Sequence, residues 1–203
     1  MKLIFANNYY YLRGGSEQVF FDEMEMLSAH GHEVVPFSRN FKKNVYSEYS
    51  KYFPSPMEYV NNLLALTKTF AGFKLIYSFE SRIKFSQLLD SFKPDIVHAH
   101  NIYGRLTSSI VDSTKAKRIP VVMTLHDYKL RFPSYLMLLN GSPCERCKGG
   151  KFYNSLFTLC HKNNFLASAT YTIESYFNLW FKKYAWIRFF ICPSMFSLKK
   201  HLE

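Results

Sequence analysis

The chain is 203 residues long, 48% hydrophobic and 20% charged, which is the balance of a globular protein with a full core and excludes a disordered or collagen-like chain. Its formal net charge of +11 points to anionic partners: nucleic acid, nucleotide phosphates or acidic lipid head groups. Aromatic residues reach 18%, with 20 Phe and 15 Tyr, more than one core needs, so some are expected on a surface that meets something apolar.

Met1 to Ala6 is apolar, but Asn7 and Asn8 end the run too early for a secretory signal, and no stretch has the length of a membrane-spanning helix. Four cysteines are few for a disulfide scaffold, so a reducing cytoplasm is the expected compartment.

Lys2 to Asn7 reads as a buried strand, followed by a turn at Gly14 and Gly15. Ser16 is the expected N-cap of a helix running to about Ala29, with Phe20, Met24 and Leu27 on one face and Gly31 as its stop. His32 to Phe37 is the second strand, so the order is strand, glycine turn, helix, parallel strand. Arg39 to Pro56 is irregular and polar, and Met57 to Phe92 reads as two helices broken near Gly72. Asp95 to Ala99 is a third strand, Ile102 to Lys117 a helix, and Ile119 to Leu125 a fourth strand. A loop from Lys129 to Lys151 follows, then a helix over Asn164 to Lys183, a strand over Trp186 to Cys192, and a helix from Pro193 to Leu202. Strands alternating with helices predict a doubly wound parallel α/β sheet. Ligands of such sheets bind beyond the C-terminal strand ends, where Asn7 to Gly15, His98 to Asn101, and His126 with Asp127 all fall.

Arg13-Gly14-Gly15-Ser16-Glu17 joins a strand to a helix, where glycines admit a close ligand and free helical N–H groups favour a phosphate; a plain tight turn is the alternative. It is neither the dinucleotide fingerprint nor a P-loop. Strand alternation puts His98 and His100 on one side, able to share a metal, or to pack in the core and cap a loop. His126 beside Asp127 can be held in one tautomer and offer its other nitrogen to a substrate. Cys144, Cys147, Cys160 and His161 carry metal-ligand chemistry; structural zinc, free thiols and a disulfide are all open. Glu17 and Glu25 are separated by seven residues, as are Glu25 and Glu33, but neither pair is given a catalytic role. Phe70 to Phe92 and Tyr171 to Phe190 interleave aromatic with basic residues, including Lys182, Lys183 and Arg188, a mixture suited partly to the core and partly to an anionic membrane surface.

Arg13-Gly14-Gly15-Ser16-Glu17, Pro94 to Asn101, Thr124-Leu125-His126-Asp127-Tyr128 and Cys192-Pro193-Ser194-Met195-Phe196, in this order and spacing, resemble the N-terminal domain of family 4 glycosyltransferases, which have the GT-B fold. Ser142 to Cys147 looks like a subgroup with a cysteine-containing insertion, here about residues 129–163. The resemblance implies one Rossmann-like half over residues 1–203, with a C-terminal donor-binding domain absent, and retaining transfer of a sugar from a nucleotide sugar to an acceptor hydroxyl. It places Arg13, Gly14, Gly15, Ser16, Glu17, His100 and Asn101 at donor or acceptor, His126 with Asp127 near the transferred sugar, and requires no metal for transfer, any zinc being structural. A lipid-linked acceptor and a peripheral position on the inner face of an anionic membrane are the expected partners; nucleic acid is not. The competing readings are a metal-dependent hydrolase built on His98, His100, His126 and Asp127, and a non-catalytic basic binding module.

Overall fold

The computed structural model describes residues 1–57, 72–161 and 163–203. Five strands, β1 (Lys2–Ala6), β2 (Glu33–Phe37), β3 (Ile96–Ala99), β4 (Val121–Thr124) and β7 (Ile187–Ile191), form a parallel sheet in the order β2-β1-β3-β4-β7. The chain winds outward from β1 to β2, then returns past β1 to start β3. The topological switch point therefore lies between β1 and β3, where a crevice opens at the C-terminal strand ends. Ile4, Phe5 and Ala6 are fully buried, as expected of a strand covered on both faces.

Helix α1 (Gly15–Ala29) packs Phe20 edge-on against Phe5 and His100. It starts at Gly15 with Gly14 as an N-cap that offers no side-chain bond, so Ser16 lies inside the helix and is not its cap. Of the two helices expected between Met57 and Phe92, residues 58–71, and with them the expected break near Gly72, lie outside the described residues; a break is seen at 77–78. There the Ser78 hydroxyl accepts from the Ser81 N–H and caps α2 (Phe79–Phe92). Helix α3 (Ser109–Ala116) is shorter than expected, because residues 102–107 fold as turns locked by Asn8 and Thr107 side chains. The loop after β4 holds a two-stranded antiparallel hairpin, β5 (Leu138–Leu139) and β6 (Ser142–Pro143), turned by Asn140 and Gly141 at φ of 50° and 80°. Helix α4 (Asn154–Thr158) leads to α5 (Phe165–Trp180), whose first turn is capped by the Asn164 side chain accepting from the Ala167 N–H; α6 (Met195–Leu202) ends the chain.

The polar stretch after β2 hides a buried cation. Arg39 is 1% exposed, donates to the carbonyls of Ser55 and Arg105 and to the Ser78 and Ser81 hydroxyls, and lies 3.9 Å from Glu80. Burial lowers its pKa to about 10, against the pull of Glu80. It fastens the end of β2 to the start of α2 and the loop after β3.

Candidate functional site at the switch point

Asn7, the first residue past β1, ties three elements together. Its side-chain amide donates to the Tyr9 carbonyl at 2.9 Å and to Glu17 Oε1 on α1 at 3.4 Å, and its Oδ1 accepts from the Asn101 N–H beyond β3 at 3.1 Å. Asn7 is fully buried, and its place at the head of the Asn7 to Gly15 cluster past β1 is as expected. Two asparagines directly after an apolar run are the available signal, since buried amides need partners across the crevice.

Gly14 and Gly15 sit at this crevice, at the start of α1. Neither needs glycine's conformational freedom: Gly14 has φ −169° and ψ −168°, ordinary extended backbone. A Cβ on Gly15 would meet nothing within 4 Å, and one on Gly14 would make ordinary contact with Glu17 Oε2 at 3.8 Å. The space beside them is open and the first N–H groups of α1 have no side-chain cap. Arg13 stacks over the Tyr9 ring at 4.6 Å, and Arg105 approaches the same ring at 5.2 Å, so two guanidinium groups converge on Tyr9.

His98 and His100 share one side of β3, with ring centroids 4.4 Å apart. Both are buried, and neither caps a loop. Each ring has one nitrogen engaged: His98 Nε2 lies 2.8 Å from Thr124 Oγ1, and His100 Nδ1 lies 2.9 Å from Nε2 of His126. The other nitrogens face Glu23 of α1, whose Oε2 is 3.4 Å from His98 Nδ1 and 3.5 Å from His100 Nε2. Burial beside Phe5 and Phe20, then the neighbouring imidazoles, lowers His98 to about 4 and His100 to about 2, and burial lowers His126 against a raising effect of Glu17. All three rings are therefore neutral at physiological pH. Glu23 is a site residue that sequence reading missed. It lies three residues after the buried Phe20, on the helix face turned to the sheet.

Asp127 turns away from the histidines. Its Oδ1 accepts the Lys129 N–H at 2.9 Å, and burial raises its pKa to about 6, opposed by that hydrogen bond and the Lys129 charge and reinforced by Glu174. Lys129 and Glu174 form a buried ion pair at 2.5 Å, with Lys129 also donating to Ser175 Oγ at 3.3 Å. These groups border a cleft of about 600 Å³ lined by Leu125, Tyr103, Tyr184, Phe190, Leu179 and Leu198 among others. Its wall is mostly apolar, with the charged pair at its edge.

The cysteines stand apart from this crevice. Cys147 is buried with Phe132, Met137 and Phe152 in a small second core; burial, then the proximity of Cys160 and Cys144, pushes its thiol up to about 12. All four cysteines are free thiols. His161 packs its ring against Tyr171 at 4.2 Å. Among the described residues, the group of His, Cys, Asp or Glu side chains whose ligand atoms all lie within 4.8 Å is Glu23, His98 and His100; Cys144, Cys147, Cys160 and His161 do not form one. The structure thus gathers Gly14, Gly15, Glu17, His100, Asn101 and His126 around one sheet edge and leaves the expected zinc ligands in a separate loop region.

The family model for glycosyltransferase family 4 matches residues 13–200. The chain is 29% identical over 153 residues to an uncharacterized 42.6 kDa protein in the cps region of Klebsiella pneumoniae. That alignment takes in 70% of this chain and 41% of the relative, so the chain spans about two fifths of that protein's length.

Proposed function

The chain belongs to glycosyltransferase family 4, and we propose that it is the acceptor-binding half of a retaining enzyme that moves a sugar from a nucleotide sugar to an acceptor hydroxyl. The observation that carries this reading is the meeting, at the switch point, of an uncapped helix N-terminus with a neutral, half-buried imidazole. The leaving nucleotide bears growing negative charge. The free N–H groups at Gly15, the dipole of α1 and the Arg13 guanidinium are suited to stabilise it. His126 has Nε2 taken by His100, so Nδ1 is left to carry a proton and donate to a sugar hydroxyl. A second half of the enzyme supplies most donor contacts and excludes water on closing. Family membership displaces the hydrolase reading, and Asp127, bonded to the Lys129 backbone, does not join His98, His100 and His126 as that reading required.

The acceptor reading rests on the apolar cleft lined by Leu125, Lys129 and Glu174 and on a surface patch. The two aromatic-basic segments meet: Tyr77 packs against Phe79 at 5.1 Å and Phe177 at 5.9 Å, and Phe177 against Phe181 at 4.9 Å. Phe73, Phe79, Trp180 and Phe181 are exposed there, with Lys182 and Arg188 exposed nearby in sequence. Among the described residues, no helix is long and apolar enough to cross a membrane. A peripheral enzyme acting on a lipid-linked acceptor in surface-polysaccharide assembly fits these features, and the cps-region relative points the same way. The test, on a protein that joins residues 1–203 to a donor-binding half, is transfer of labelled sugar from a panel of nucleotide sugars to a lipid extract, with the anomeric configuration read by NMR. Retention supports the reading, and inversion or absence of transfer refutes it.

A further inference from the structure

We propose that Glu23, His98 and His100 form a binding site for a divalent transition metal of the zinc class, with Glu23 Oε2, His98 Nδ1 and His100 Nε2 as the ligand atoms. The inference is independent of the transferase reading, since the ion would lie behind the crevice and take no part in transfer.

The distances carry it. A tetrahedral zinc ion holds nitrogen and oxygen ligands at about 2.0–2.1 Å, which separates the ligand atoms by roughly 3.3–3.4 Å. Glu23 Oε2 stands 3.4 Å from His98 Nδ1 and 3.5 Å from His100 Nε2, and all three ligand atoms lie within 4.8 Å of one another. As direct hydrogen bonds these contacts are poor: His100 Nε2 is buried and makes none. A buried nitrogen without a partner is costly, and a native core rarely tolerates one. An ion between the three atoms would satisfy it.

The outer contacts have the arrangement that metal-bound histidines require. A ligating imidazole presents a bare nitrogen to the ion and donates its other N–H to a neighbour that fixes the tautomer. His98 has Thr124 Oγ1 at 2.8 Å for that purpose, and His100 has His126 Nε2 at 2.9 Å. Glu23 comes from α1 and the histidines from β3, so the ion would staple the helix whose N-terminus opens the crevice onto the central sheet. Through His100 it would also fix the orientation of His126, making His100 a positioning residue.

The purified protein, stripped with a chelator, is titrated with Co²⁺ in a background where Cys144, Cys147 and Cys160 are all serine. The expected result is one ion per chain, visible bands of a four-coordinate nitrogen–oxygen site without thiolate charge transfer, and a thermal midpoint raised by roughly 5–10 °C with Zn²⁺ at a hundred times Kd. Glu23→Gln, a partly exposed position that leaves the core intact, and His98→Phe should each weaken Co²⁺ binding by at least about a hundredfold. Absence of binding in the triple-serine protein, or binding that survives Glu23→Gln unchanged, overturns the proposal.

Discussion

His100 Nδ1 and His126 Nε2 lie 2.9 Å apart, joining a buried residue at the end of β3 to the half-buried residue just past β4. One of the pair must donate, and with His100 donating, Nδ1 of His126 becomes the proton carrier that faces substrate. Replacing His100 by Phe keeps the ring volume among Phe5 and Phe20 but removes this orientation. The His100→Phe protein is expected to fold, to lose roughly tenfold in kcat, and to keep its donor KM within a few-fold. A large rise in KM with unchanged kcat would show that His100 serves binding instead.

Gly15 is expected to matter for ligand and not for fold. A Cβ there has no protein atom within 4 Å outside its own turn, so Gly15→Val should leave the thermal midpoint within about 2 °C. It should nevertheless obstruct approach to the first N–H groups of α1 and weaken nucleotide-sugar binding by roughly tenfold or more, measured by calorimetry. Unchanged affinity would remove the anion from this helix start.

The sheet was legible from the sequence because its strands are short apolar runs with helices between them, and the strand Lys2 to Asn7, the glycine turn and the helix after it came out within two residues. Glu23 was not legible, because periodicity says which residues share a helix face but not what that face meets; only the packing of Phe20 on Phe5 and His100 turns Glu23 toward the histidines. Arg39 was hidden for a similar reason: its neighbours are polar and irregular, and its burial comes from carbonyls and hydroxyls far away in sequence. The hairpin at Asn140 and Gly141 carried a turn signal, but its two-residue strands are too short to show alternation.

Asp127 gives a pH dependence with a definite sign. Its pKa is raised from 3.8 to about 6 in the folded protein, mainly by burial. The folded state therefore holds the proton more tightly than the unfolded chain, and stability falls as pH rises from about 4 to 6. Fully developed above pH 6, the loss is on the order of 3 kcal/mol. Asp127→Asn keeps an Oδ1 acceptor for the Lys129 N–H and removes the buried charge, with Lys129, Glu174, Tyr103 and Tyr184 unchanged around it. Denaturant titration should find the variant more stable by about 1–3 kcal/mol at pH 8, with the difference gone at pH 4. A difference independent of pH would contradict the assignment.

The basic residues near the aromatic patch are expected to divide. Lys183 is half-buried, bonded to Asp112 at 2.7 Å and set over the Tyr77 and Phe177 rings, so it is not the free membrane contact that the sequence suggested. Lys182 and Arg188 are exposed. Charge-neutral Lys182→Gln and Arg188→Gln should reduce flotation with anionic vesicles, each by about 1 kcal/mol, and leave stability unchanged. Lys183→Gln should instead lower the thermal midpoint, because Asp112 loses its cation. Equal flotation with neutral and anionic vesicles would contradict an electrostatic attachment.

The most direct test of the account is sugar transfer with His126 altered, in a protein that carries residues 1–203 together with a donor-binding half. Label released from a nucleotide sugar into a lipid-soluble product is measured for wild type and for His126→Ala, with thermal midpoints compared. The account predicts transfer with retained anomeric configuration by wild type, and a loss of roughly a hundredfold or more in kcat for His126→Ala at an unchanged fold. Wild-type rates in the His126→Ala protein would contradict it.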